Sequence, residues 1–326
     1  MEKVDVIAVL GACTAERQAY ADNLQRDLLK HSSPVKVLDI PALTPTQDVI
    51  GELADPEAET LLKAVACIVD AAHCLQDLAA EDFVTTKFNN KGETVECAPR
   101  ALLTATHMEY ASHIVLVNWE SMPTHELSTL MGLISYMAPF ASLTLAPKGL
   151  VGADSLTTEA APFAGSTYSR ERQQPGWVAA MNNDFRPHIT DNRISSFRYE
   201  ELRPFHPERL KNFLDHRLGT GEFGLIMRSA GFCRFATRAR SVLQWDHVGQ
   251  TIAFHHMTEE TGLAPESEVL VLGQDLVFFG LDIRHFALQR ALNETLLTDA
   301  ELQTNPDTWV RFKDPFPVWQ PTHELP

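Results

Sequence analysis

The sequence predicts two successive folds: a doubly wound, mostly parallel α/β sheet over residues 1–150, then a small α+β domain over residues 194–304. Two observations carry this. In the first half, short and near-continuous apolar runs alternate with helical patterns, as strands covered on both faces do. In the second half, strand-like runs are grouped between two helical segments instead. Gly, Ser, Thr, Pro and Gln accumulate between the two, so residues 151–193 read as a linker.

Taken in order, residues 4–10 are apolar and β-branched, stop at Gly11 and give way to a helical pattern through about Lys30. Further strands read at 35–40, 64–69, 113–117 and 141–145, with helices at 58–63, 75–86, 100–110 and 124–136. After the linker, 194–199 alternates as a strand. Pro207 opens a helix to residue 217, because a missing N–H does no harm in a first turn. Strands follow at 223–228, 232–237, 241–245, 251–254 and 274–279, then a helix at 284–296. Residues 305–326 read as an extended tail carrying Pro306, Pro315, Pro317, Pro321 and Pro326 with Trp309 and Trp319.

Composition narrows the function. Hydrophobic residues at 44% and charged residues at 21% are those of a chain that packs a core. No apolar run approaches the ~20 residues that span a bilayer, and Met1-Glu2-Lys3-Val4-Asp5 lacks the basic, then apolar, order of a secretory signal. A cytoplasmic protein is expected. The net charge of -16 repels phosphate backbones, which disfavours direct nucleic-acid binding. The five cysteines, Cys13, Cys67, Cys74, Cys97 and Cys233, are odd in number and form no CxxC pair. They read as reduced thiols rather than a disulfide framework or a four-thiolate zinc site.

Several motifs, in order, carry a likeness to a known family. They are Ile194-Ser195-Ser196-Phe197, Arg203-Pro204-Phe205-His206-Pro207-Glu208-Arg209, Arg228-Ser229-Ala230-Gly231-Phe232, Gln274-Asp275-Leu276-Val277-Phe278-Phe279-Gly280 and Leu296-Leu297-Thr298-Asp299-Ala300-Glu301-Leu302. This half resembles the CobW C-terminal domain. The first half is similar to the same CobW-like family, of the CobW, HypB and UreG type, through Gly51-Glu52-Leu53-Ala54-Asp55-Pro56 and Ile68-Val69-Asp70-Ala71-Ala72. The resemblance implies a P-loop GTPase domain coupled to the C-terminal domain in a metallochaperone or metal-homeostasis factor, most often for zinc.

The nucleotide motifs that the resemblance implies are degenerate. A P-loop, GxxxxGK[ST], needs glycines so that backbone N–H groups can wrap phosphates, a Lys on the β/γ-phosphates and a hydroxyl on Mg²⁺. The matching stretch runs from Gly11 to Gln18, with Thr14 and Glu16 in the loop, Arg17 at the lysine position and Gln18 at the hydroxyl position. Gly11 and Arg17 are remnants. The guanine-reading Asn-Lys-x-Asp corresponds to Asn118-Trp119-Glu120-Ser121, which keeps Asn118 but puts Trp119 for the stacking lysine and Ser121 for the base-reading aspartate. The family's Cys-x-Cys-Cys metal loop lies between its second and third strands, and residues 41–63 hold no cysteine. The first domain therefore reads as a degenerate GTPase-like scaffold, with GTP not expected as a ligand, no cofactor expected and no catalytic residue.

Any zinc role needs other ligands, since zinc takes about four Cys, His or carboxylate groups. Zinc stays open as a ligand through His73 and Cys74, after the third strand, and through His255 and His256. Neighbours on a strand point to opposite faces, so the second pair chelates poorly unless the backbone turns. Trp119 and Glu120, in a loop at the carboxyl edge of the sheet, have the composition of an interaction site. The sequence thus predicts a nucleotide-independent binding adaptor of metal homeostasis, of zinc in the first place, or of the zinc-starvation response. Its expected partner is a metal-homeostasis client or a ribosome-associated protein. The alternatives are a zinc metallochaperone with non-family ligands, a weak GTPase, or a ribosome-linked factor under zinc limitation.

Overall fold

The computed structural model describes residues 3–88, 94–146, 167–169, 173–238, 241–259, 273–304 and 306–317. The chain divides into two compact units. One comprises Met1–Ile194 with Val248–Thr251, the other Ser195–His247 with Ile252–Pro326.

The first unit is built on β1 (Val4–Leu10), β2 (Lys36–Asp39), β3 (Thr60–Asp70), β6 (His113–Val117) and β7 (Ser142–Leu145). They form one sheet in the order β2-β1-β3-β6-β7, and every pairing in it is parallel. Val6 to Leu10 and Val65 to Val69 are buried without interruption, which explains their unbroken apolar runs. The flanking helices are α1 (Thr14–Lys30), α2 (Thr46–Leu53), α3 (Ala71–Leu78), α4 (Arg100–Glu109) and α5 (Thr124–Met137). Leu24 and Leu28 of α1 pack with Ile7, Val9, Ile68 and Val115 of the sheet.

Three expectations for this unit need correction. The helix read at 58–63 is strand: β3 starts at Thr60 because Thr60–Leu62 pair with Val4–Val6, and α2 lies upstream. Sheet pairing overrode a weak local pattern. The helix read at 75–86 ends at Leu78, and β4 (Phe83–Phe88) pairs antiparallel with β5 (Thr94–Pro99). Val84, Thr85 and Thr86 favour that strand because branching at Cβ stiffens χ1. The stretch read as linker, 151–193, is structured where it is described after residue 173. Helix α6 (Gly176–Met181) buries Trp177 and Ala179. A Cβ on Gly176 would lie 1.8 Å from the Tyr136 carbonyl oxygen, so only glycine brings this helix so close to α5. Residues 151–166 lie outside the described residues.

The second unit, together with the strand ends Ile194, Val248 and Thr251 that group with the first, holds β8 (Ile194–Glu201), β9 (Leu225–Cys233), β10 (Ser241–Val248), β11 (Thr251–Glu259) and β12 (Gln274–Leu281) in the order β11-β10-β9-β12-β8. The runs read as separate strands at 223–228 and 232–237 are largely the single strand β9. It continues through Gly231, whose φ of +145° leaves Asp275 too close for any Cβ. Helix α7 (Pro207–His216) starts on Pro207, and α8 (His285–Asn293) buries Leu288, Ala291 and Leu292. Phe205, Phe223, Phe235, Trp245 and Phe278 fill the core between. The tail is not wholly extended: it begins with the short helix α10 (Pro306–Trp309), after α9 (Asp299–Leu302). Phe316 then buries itself against Phe235 and Phe254, while Asp314 pairs with Arg238. Trp319, Pro321 and Pro326 lie outside the described residues.

Candidate functional site

With strand order β2-β1-β3, the chain leaves β1 on one side and returns to β3 on the other, so the crevice for a ligand opens at the carboxyl ends of β1 and β3. The connection leaving β1 is Gly11-Ala12-Cys13, and α1 begins at Thr14. Gly11 lets the chain pass close to β3, since a Cβ there would lie 2.6 Å from the Ile68 carbonyl oxygen. A P-loop places its glycine-rich stretch between the strand and the helix that its Lys and Ser/Thr open. Here Thr14, Glu16, Arg17 and Gln18 are already helical, and three residues make the entire connection.

Arg17 is 3% exposed. Its Nε donates to Asp39 Oδ1 at 2.6 Å, and its Nη1 donates to the Gly11 carbonyl oxygen at 3.0 Å. The guanidinium thus closes the connection onto β2 rather than facing the crevice as a free cation. Asn118 takes a left-handed φ of 55° after β6, and its Nδ2 donates to Asp70 Oδ2 at 2.9 Å. Asp70 also caps α3 by accepting from the Ala72 N–H. Trp119, Glu120 and Ser121 form a single 3-10 turn. The Trp119 indole N–H donates to the Ala146 carbonyl oxygen at 2.8 Å, and Glu120 is exposed.

Beneath the connection lies a cavity of about 10 Å³ lined by Cys13, Cys67, Cys74, Asp77, Thr104 and His107 among others. Cys67 comes from β3, Cys74 and Asp77 from α3, and Thr104 and His107 from α4. The Cys13 thiol lies 3.7 Å from Asp77 Oδ2 and donates to it. Burial, with the Asp77 charge adding to it, pushes the Cys13 pKa up to about 12. Burial also pushes the Cys67 and Cys74 thiols well up, and raises Asp77 against the opposing pull of Arg100. His107 is 1% exposed, and burial followed by the nearby Arg17 charge lowers its pKa to about 4. The Ala42 backbone opposes that shift, yet neither ring nitrogen completes a hydrogen bond of sound geometry, and the Thr104 hydroxyl has no partner.

The candidate metal residues are not brought together. Cys74 is buried on α3, whereas His73, about 100° further round the helix, is exposed. His255 and His256 are exposed on β11, in the other unit, and His255 lies 3.9 Å from Asp246. Among the described residues, no three His, Cys, Asp or Glu side chains are gathered so as to hold an ion. Sequence reading missed His107, Thr104 and Asp77, which arrive on helices distant in sequence from Cys13. The one local signal was the spacing of Cys67, Asp70, Cys74 and Asp77, three or four residues apart, from the end of β3 into α3.

Residues 194–296 match the model of the cobalamin synthesis protein CobW C-terminal domain. This match spans β8 to β12 with helices α7 and α8. Ahead of that domain and through it, the chain is similar to the zinc-regulated GTPase metalloprotein activator 1 of Dictyostelium discoideum, at 25% identity over 292 residues. The match covers 84% of this chain and 60% of that relative, so the chain spans about 60% of its length. The crystal structure of the Zn(II)-bound YjiA GTPase from E. coli aligns with 91% of this chain and 100% of its own, at 11% identity and a TM-score of 0.33. A Zn(II)-bound triple mutant of the same GTPase aligns equally. The parallel sheet of the first unit, followed in sequence by residues that match the CobW C-terminal domain model, gives the fold class that the sequence predicted. Among the described residues no helix is long and apolar enough to cross a membrane.

Proposed function

We propose that this chain is a CobW-like protein of zinc homeostasis or of the response to zinc scarcity, and that it works as a binding adaptor without nucleotide. The observation that carries the reading is the three-residue connection Gly11-Ala12-Cys13. Phosphate wrapping needs a run of free backbone N–H groups between strand and helix. In this chain only Gly11, Ala12 and Cys13 remain ahead of α1, so the wrapping loop is cut to three residues and the first-turn N–H groups of the helix, and the remnant cation Arg17 is bound to Asp39 and to the loop's own carbonyl. Glu16 adds a carboxylate where phosphate oxygens would sit. The zinc link rests on the likeness to the zinc-regulated GTPase metalloprotein activator 1 of Dictyostelium discoideum.

The partner in this reading is a client protein of metal homeostasis or a ribosome-associated protein. Trp119 and Glu120 mark its contact at the carboxyl edge of the sheet, an aromatic ring beside an exposed charge. The net charge of -16 favours a basic partner surface. Complementation under zinc limitation tests the reading. A strain lacking the gene should recover growth with Thr14→Ala or Gln18→Ala, both on the exposed first turns of α1, and should fail to recover with Trp119→Ala at equal protein level. Loss of function in the Thr14 or Gln18 variants, with Trp119→Ala fully active, would reverse the assignment.

A further inference from the structure

We propose that the outer edge of β7 is a docking strand for an extended segment of a partner protein, which pairs with it and sinks one bulky apolar side chain into the cavity at its amino end. The edge comes first. In a parallel ladder, alternate residues turn both N–H and C=O toward the same neighbouring strand. The Ser142 N–H donates to the Ser112 carbonyl oxygen at 2.9 Å, and the Ala146 N–H to that of Leu116 at 2.8 Å, so the even positions of β7 face β6. Leu143 and Leu145 therefore turn their N–H and C=O outwards, and among the described residues no strand lies beyond them. Leu145 is 38% exposed. A row of outward N–H and C=O groups is matched by another backbone, which makes the occupant a polypeptide rather than a small molecule.

The cavity gives the segment its anchor. It measures about 340 Å³ and is walled by Ile114, Ile134, Ala138, Phe140, Leu143 and Ile189 among others. Its Ser135 hydroxyl already accepts from the Ile189 N–H at 3.0 Å. No Asp, Glu, Lys or Arg lines it, so a charged side chain entering it would lose hydration without a counter-ion, whereas an aromatic or branched aliphatic one gains by burial. Charge sets the flank. The chain carries -16, and exposed Glu120 stands at the carboxyl end of β7, where Trp119 of the same turn holds the Ala146 carbonyl oxygen. A basic residue of the partner complements it there. Leu143 and Ala146 are about 10 Å apart along a strand, so the apolar anchor and the basic residue stand three or four positions apart. The edge is thus continuous with the Trp119 and Glu120 contact of the adaptor. The inference takes from that reading only that the chain has a protein partner.

Selection of a random phage-displayed dodecapeptide library on the full-length chain, followed by synthesis of the recovered peptide, tests it. Recovered sequences should share an aromatic or branched aliphatic residue with Lys or Arg three or four positions away. N-methylation at alternate residues of the synthetic peptide should abolish binding in one register and leave it within about twofold in the other, the period of two that strand pairing imposes. Leu145→Pro removes an outward N–H that the ladder to β6 does not use, and should weaken binding at least about tenfold. The N-methylated peptides use the unaltered protein and carry the test where that variant misfolds. Hydrogen exchange should find the Leu143 and Leu145 amides unprotected in the free chain and protected by the peptide. No peptide recovered above background, equal binding in both N-methyl registers, or protection of both amides in the free monomer would each overturn the proposal, the last by showing that the chain closes its own edge. A dimer in sedimentation equilibrium that Leu145→Pro dissolves would give the edge to a second copy instead. Binding spared by Trp119→Ala and lost in Leu145→Pro supports the strand and confines the failure to the Trp119 contact.

Discussion

Folding carries His107 from water, where an imidazole titrates near 6.5, into a site where its pKa is about 4. Between those values the unfolded chain binds the proton and the folded chain does not, so stability rises with pH across this window and falls on acidification. From pH 7 to pH 5 the loss from this residue is roughly 2 kcal/mol. Urea unfolding of the metal-free chain at the two pH values should show it, and His107→Leu should remove that part of the slope. An unchanged slope in the variant would mean that His107 is solvated in the folded state. The residue scale is also where the sequence was least legible. Gly11, Arg17 and Asn118 stand in a recognisable order, but nothing local shows that Arg17 turns to Asp39 or that Asn118 is held by Asp70. Those partners are set by pairing between strands far apart in sequence.

Elements were legible where burial alone decided them. The strand His113–Val117 and the helix opened by Pro207 fall where apolar period and capping put them. They were illegible where a partner strand decided, as at Thr60–Leu62 and in the β4–β5 hairpin. The C-terminal tail shows the same dependence. Its prolines suggest extension, yet Phe316 is a member of the second unit's core, Asp314 holds Arg238, and a Thr298–Glu301 capping box starts α9 just upstream. Phe316→Ala should therefore cost about 3 kcal/mol of stability, the lower range for emptying a buried phenylalanine site. A thermal melt of the second unit's transition measures this. A loss below about 0.5 kcal/mol, typical of surface positions, would place the tail outside the core.

At the scale of the molecule, the sheet order puts the β1–β3 crevice where a ligand would bind, and the proposed reading is that this crevice no longer takes phosphate. At Gly11, β3 passes too close for a Cβ, a packing requirement that holds with or without a nucleotide. Beyond it, the helix starts at Thr14, the cation is buried, and thiols and an imidazole line the space below. The most direct measurement is the thermal unfolding of the full chain with increasing GTP and excess Mg²⁺. A ligand at 100 times its dissociation constant adds about 2.7 kcal/mol to the folded state, a shift of several degrees in a melt. The account predicts no shift at any GTP concentration. A saturable rise in melting temperature that disappears in Arg17→Ala, with that variant shown to be folded, would contradict it.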